Sequence, residues 1–240
     1  MSALFEGVGV ALVTIFDSDG KPDPEATADH AMTLVKQGCS AILLSGTAGE
    51  SWRLTAEDRI ALALELSARR PGVPILVGSG DRSSDRAVTI TRTVAQAGVG
   101  DALLVLSPTD ADCRAFYGQI AKESAGMPVI AYHLPALSPP GVQVDQLDGL
   151  PVAGIKDSSG DADRIAGLLT RDTVPIYVGS PNLLALAGPC GVAGALVALA
   201  NTKLDLCQRA WRGDASAQRA LMSAHIESMQ SFPARLKPMH

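Results

Sequence analysis

The sequence predicts an α/β fold in which eight parallel strands, alternating with helices, close into a single (β/α)8 barrel. Three observations carry that expectation. Eight short runs are apolar without the odd–even alternation of a half-exposed sheet, the pattern of strands buried on both faces. Amphipathic segments separate the runs. Strand plus helix recurs roughly every 25–30 residues, as in barrels of this kind. With 240 residues, 47% of them hydrophobic, the chain has the size of one such domain and ample material for a core.

The first run, Val8–Phe16, leads to a helix that Asp23 can cap. Ala41–Gly46 comes next, followed by a helical pattern over Thr55–Arg70 in which Thr55 and Asp58 have capping-box spacing. Pro74–Gly80 precedes a helix over Ser83–Gly98 with Ser83 as its cap. The remaining strands are Ala102–Pro108, Pro128–Pro135, Val152–Ser159, Pro175–Ser180 and Gly194–Asn201. From Tyr177 to Thr202 no residue is charged, long enough to suggest a membrane span. Gly188-Pro189-Cys190-Gly191 interrupts it, so a buried helix, a turn and a buried strand fit better. Leu204–Arg212 and Ala215–Ser231 are helical, and a proline-bearing tail runs from Pro233 to His240. The barrel is therefore assigned to 1–203 and a helical extension of the same domain to 204–240. An open doubly wound sheet is the alternative, but Thr14–Gly20 lacks the glycine fingerprint of a dinucleotide loop.

Composition excludes several functions. A net charge of −5 argues against nucleic acid, which demands a basic face. Cys39, Cys113, Cys190 and Cys207 lie far apart, with neither metal-like spacing nor a CxxC pair, and are expected as small buried hydrophobes in a reducing compartment. No basic segment precedes an apolar one at the N-terminus, so a soluble, cytoplasmic protein is expected. His30 and His225 lie in helical patterns without visible partners, and no His/Asp/Glu cluster has metal spacing.

Barrel chemistry sits at the C-terminal ends of the strands. Those ends carry Thr14, Gly46-Thr47-Ala48-Gly49-Glu50, Gly80-Asp81, Ser107-Pro108, Tyr132-His133, Lys156-Asp157, Gly179-Ser180 and Ala200-Asn201. Lys156 stands out, because lysines are almost never fully buried unless paired. Burial favours the neutral amine, a nucleophile toward carbonyls. The alternative is a lysine whose head escapes past the strand end, held by Asp157 or Asp161. Tyr132 ends the preceding strand and would face the same mouth, as a proton shuttle or simply with its hydroxyl in water. Gly46–Gly49 offers backbone N–H groups for a carboxylate, or is only a tight turn. Thr47 adds a hydroxyl within reach of the tyrosine. Glu50 is expected to accept from loop N–H groups, and His133 to face away from Tyr132.

At these residues the sequence resembles the dihydrodipicolinate synthase/N-acetylneuraminate lyase family of class I, pyruvate-dependent aldolases. Gly46-Thr47-Ala48-Gly49-Glu50 is similar to the family's G-[ST]-T-G-E loop, and Tyr132-His133-Leu134-Pro135 to its Y-N-x-P segment. Gly154–Asp161 resembles its Schiff-base lysine motif, with support from Ala11-Leu12-Val13-Thr14 and from Gly194–Asn201. The resemblance covers roughly residues 7 to 237 and implies a TIM barrel with added C-terminal helices. It implies a lyase in which Lys156 forms the Schiff base, Tyr132 is the general acid/base and Thr47 relays protons. Gly46, Thr47, Ala48, Gly49 and Leu196 would bind substrate. It implies no cofactor beyond the covalent lysine, a 2-oxo acid (pyruvate) and an aldehyde as partners, and a homo-oligomer, dimer or tetramer.

The sequence also departs from the family. Ala48 replaces a usual threonine, Ile15 a proline, and Thr109-Asp110-Ala111-Asp112 a tyrosine pair. The extension is short for the family. Leu137 falls where dihydrodipicolinate synthases carry an arginine for the second substrate's carboxylate, and leucine replaces neither its charge nor its two-pronged hydrogen bonding. An aldolase or lyase acting with a less acidic aldehyde, such as a sugar-derived one, is expected. The alternatives are a dihydrodipicolinate synthase with an altered site and a degenerate member that binds an oxo acid without turnover.

Overall fold

A computed structural model describes residues 2–238 of the chain. Eight parallel strands close the barrel in sequence order: β1 (Gly7–Ala11), β2 (Ile42–Leu44), β3 (Ile75–Gly78), β4 (Ala102–Leu106), β5 (Val129–His133), β6 (Gly154–Asp157), β7 (Ile176–Val178) and β8 (Gly194–Val197). β8 pairs with β1 in continuous register from Gly7↔Gly194 to Val10↔Val197. Each strand falls within its apolar run except β1, which starts one residue early and ends at Ala11. Beyond it, Phe16 forms an isolated bridge with Pro22. There Thr14 ties the first strand end to the next loop by donating to the Gly49 carbonyl at 2.8 Å.

The helices are α1 (Pro24–Lys36), α2 (Ala56–Ala68), α3 (Ser84–Gln96), α4 (Cys113–Glu123), α5 (Ala162–Arg171), α6 (Leu184–Ala187), α7 (Ala200–Trp211) and α8 (Ala215–Met229). Asp23 and Ser83 cap α1 and α3, and Thr55 with Asp58 forms the capping box on α2. The uncharged segment divides into α6, a turn and β8, and no helix is long and apolar enough to cross a membrane. Two connections depart from a strict strand–helix repeat. Between β5 and β6 only a 3-10 turn at Val144–Leu147 is helical, and α6 is a single turn. Near Lys203, α7 breaks (φ −135°), so its regular part starts where the sequence pattern begins, at Leu204.

Strand alternation divides side chains between two cores. Val8, Val10, Ile42, Val77, Val105, Ile155 and Val178 face the helices, whereas Leu43, Leu76, Leu104, Ile130, Tyr177 and Leu196 fill the barrel. Phe5 stacks on Tyr177 with centroids 4.7 Å apart, and the Tyr177 hydroxyl accepts from the Leu4 N–H at 2.8 Å. That plug needs Gly194, because a Cβ there would stand 2.7 Å from the Phe5 ring. Three cysteines are buried, and burial pushes the Cys39 and Cys207 thiols up to about 12 and Cys113 to about 11. Cys190 differs from the expectation: it is exposed in the turn that breaks the apolar segment.

Candidate active site

Lys156 and Tyr132 are register partners on neighbouring strands and both point into the barrel. Lys156 is only 4% exposed, and its Nζ stands 4.4 Å from the centroid of the Tyr132 ring. Among the described residues no carboxylate lies within ion-pair distance of it. The two acids that could have held it are occupied elsewhere. Asp157 faces outward and accepts from Arg164 Nε at 2.5 Å, from the Ser159 N–H at 2.9 Å and from its hydroxyl at 2.6 Å. Asp161 caps α5 through the N–H groups of Asp163 and Arg164. The paired-lysine alternative therefore does not describe this structure.

Space for the Lys156 stem comes from Gly179, just beyond β7. A Cβ on Gly179 would stand 2.9 Å from Lys156 Cε and run into the Ser158 hydroxyl. Tyr132 is held from the side by Tyr117 of α4, which is fully buried. The Tyr117 hydroxyl donates to the Val105 carbonyl at 2.9 Å and accepts from the Tyr132 N–H at 3.4 Å. Burial keeps its phenol protonated well above the usual range.

After β2 the chain turns through Ser45, in the left-handed region at φ 56°, into the glycine loop. Gly46 and Thr47 line a cavity of about 640 Å³ together with Tyr132, Leu106 and Leu137. Its wall includes Tyr132 but not Lys156, whose amine lies against the tyrosine ring. Ala48 is buried among the inner side chains, and Gly49 packs on the Leu12 carbonyl and the Thr14 hydroxyl. Leu196 belongs to the same inner cluster and stays off the cavity wall. Among the described residues, the N–H groups of Thr47 and Ala48 find no protein acceptor. No direct hydrogen bond joins the Thr47 and Tyr132 hydroxyls.

The Dihydrodipicolinate synthetase family matches residues 4–230. The chain belongs to this family. Membership places it among class I, pyruvate-dependent aldolases, which are carbon–carbon lyases. It is 29% identical to the 4-hydroxy-tetrahydrodipicolinate synthase of Pseudomonas aeruginosa, over 99% of this chain and 82% of that one. It is similar to the solved dihydrodipicolinate synthase of Aquifex aeolicus (TM-score 0.76, 27% identity, 95% of this chain and 82% of that one). A prophage protein of the family from E. coli K12, solved in complex with pyruvate, shares the fold at TM-score 0.83 and 23% identity, over 96% and 85% of the two chains.

Several supports of this candidate site were not visible in the sequence. Glu50 does not serve the loop N–H groups; it accepts from Arg53 at 3.0 Å and from Lys237 at 2.6 Å. Burial opposes its ionisation, but the hydrogen bonds from Lys237 and Arg53 win and hold the carboxyl below its usual range. Both cations also lie over the Phe16 ring, at 4.6 and 3.8 Å, so the C-terminal tail clamps the loop. Beneath it the fully buried Arg59 donates to the carbonyls of Gly78 at 2.5 Å and Ser51 at 2.8 Å. Burial brings that guanidinium down to about 10, still charged at neutral pH. His30 does have a partner: its Nε2 is 3.2 Å from Asn201 Oδ1, the oxygen that also accepts from the Val13 N–H. His133 faces away from the mouth, as strand alternation requires. Among the described residues, no group of three or more His, Cys, Asp or Glu side chains could hold a metal.

Proposed function

We propose that this family member makes or breaks a carbon–carbon bond between pyruvate and an aldehyde through a Schiff base on Lys156. One observation carries the reading: a buried lysine with no anionic partner among the described residues, packed against a tyrosine at the strand ends of the barrel. The free amine of such a lysine is the form that attacks a ketone. Nζ adds to C2 of the 2-oxo acid, and loss of water leaves an iminium. Loss of a C3 proton then gives an enamine, which attacks the aldehyde carbonyl as the new alkoxide takes up a proton. Water releases the product and restores the amine.

Tyr132 moves protons in the addition and dehydration steps, and Thr47 extends that relay toward the cavity. The unpaired N–H groups of Thr47 and Ala48 hold the pyruvate carboxylate, while Gly46 and Gly49 shape the loop and Leu196 packs beneath it. Lys156 itself supplies the electron sink, so the reaction as proposed uses no separate cofactor. Pyruvate bound to the prophage relative supports the choice of oxo acid. We extend the family resemblance to a cytoplasmic homo-oligomer. The names of the curated relatives favour one second reading, condensation of pyruvate with aspartate semialdehyde.

Incubation with pyruvate and borohydride, followed by intact-mass measurement, tests the proposal. Wild type gains the mass of one reduced adduct and Lys156→Ala gains none. An unmodified wild type overturns the Schiff base, and an adduct surviving Lys156→Ala overturns the residue. An adduct with no turnover on any aldehyde supports the degenerate, non-catalytic reading.

A further inference from the structure

We infer that Arg82 and Arg86 form a subsite for an anionic group, carboxylate or phosphate, at the far end of the aldehyde substrate. The inference rests on the Schiff-base reading and names the substrate class for that site. The loss of an arginine at Leu137 led to the expectation of a less acidic aldehyde. Leu137 does line the cavity, but Arg82 and Arg86 line it too, together with Tyr132 and Thr47.

These two guanidinium groups are available. Arg82 is exposed and has no carboxylate within ion-pair distance among the described residues. Arg86 is 69% exposed along its side chain and reaches Asp81 only at 3.4 Å. Asp81 also accepts the Ser83 N–H at 3.0 Å, and nearby Asp110 is committed to the Ser84 N–H and hydroxyl. The charged residues on the cavity wall are thus two arginines and one aspartate, an excess of one positive charge.

Neither arginine serves its helix. Both flank the start of α3, where the helix dipole favours acidic side chains and disfavours cations. Cations placed against that dipole are stabilised when an anion arrives between them. Size agrees: about 640 Å³ suits an extended ligand and far exceeds a three-carbon acid. Arginine pairs bind carboxylate and phosphate through two-pronged, charge-assisted hydrogen bonds.

The test compares aldehydes that differ in their distal group: glyceraldehyde, glyceraldehyde 3-phosphate and aspartate semialdehyde, each with pyruvate. Wild type, Arg82→Ala, Arg86→Ala and the double variant are assayed, and borohydride trapping of pyruvate on each separates a lost subsite from a lost nucleophile. We expect kcat/KM for an anionic aldehyde relative to glyceraldehyde to fall about tenfold in each single variant. Lysine at either position restores part of the preference. Preference for the phosphorylated aldehyde identifies phosphate as the ligand group, and preference for aspartate semialdehyde identifies carboxylate. In parallel, glycerol 3-phosphate and glycerate are titrated calorimetrically into the reduced pyruvate adduct. Binding to wild type that weakens about tenfold in the double variant supports the subsite. No binding to wild type, or equal losses for neutral and anionic aldehydes, overturns it. A wild type that forms no pyruvate adduct fails the Schiff-base reading instead.

Discussion

Strands β5 and β6 carry two clusters one residue apart, and they behave in opposite ways. Inside the barrel, Tyr132 and Lys156 face each other, and among the described residues the amine has no carboxylate partner. Outside, His133 and Asp157 are also register partners, but Asp157 is saturated by Arg164 and Ser159, and Arg164 additionally donates to the Val142 carbonyl at 2.6 Å. Period-two alternation of the strand separates the clusters. The Lys156 amine and the carboxylate next to it in sequence are thereby kept apart in space. The outer ion pair also sits where the barrel has only a 3-10 turn for a helix, so polar contacts there do work that apolar helix packing does elsewhere.

The largest expected contrast comes from breaking each cluster at its charged member. Asp157→Ala leaves the Arg164 guanidinium buried without its partner, and such losses cost about 3–5 kcal/mol. Lys156→Met removes an amine that has no ion-pair partner and keeps the volume, so the variant should be at least as stable as wild type while losing the pyruvate adduct. Urea unfolding of both variants checks this. A Lys156→Met protein destabilised as much as Asp157→Ala would show that the inner lysine is structural.

A smaller effect is expected from Gly179→Ala. The added methyl meets both Lys156 Cε and the Ser158 side chain. Displacement of a reacting group by about 1 Å costs on the order of 10²-fold in rate. Single-turnover formation of the reduced pyruvate adduct measures it, with unfolding followed alongside. An unchanged adduct rate would show that the lysine stem can shift without leaving its productive position.

The inner cluster was more legible than its surroundings, for a physical reason. Lys156, Tyr132 and the glycine loop announce themselves because a polar group at the end of an apolar run breaks a local pattern, and local patterns survive in sequence. The eight strands were visible for the same cause. Arg59 and Lys237 were not: one is an ordinary helical arginine and the other a tail lysine until the fold lays them against the loop. Tyr117 likewise looks like one aromatic in an amphipathic helix, and only the β4–β5 register shows what its hydroxyl joins. The absent helix between β5 and β6 was missed because eight strand signals at regular spacing imply eight helices.

The smallest effect separates the clusters by pH. His133 is buried, its Nδ1 has no hydrogen-bond partner, and Gly141 closes over the ring. Burial lowers its pKa below 6.5; Asp157 pulls it back up, while Arg164 repels a second positive charge. A histidine whose folded pKa is depressed stays neutral when the unfolded chain takes up its proton. Its contribution is therefore fully present above about pH 6.5 and is lost as pH falls from there toward the lowered folded value. His30 and His225 are lowered by burial as well, so wild-type stability should fall over that window through all three. His133→Gln removes one share, and its stability should decline less steeply between pH 6.5 and 5. The pyruvate-adduct rate at the inner face should keep its wild-type pH profile, because His133 points away from Lys156. A variant that flattened the adduct profile while leaving the stability slope unchanged would mean that the strand does not insulate the two clusters.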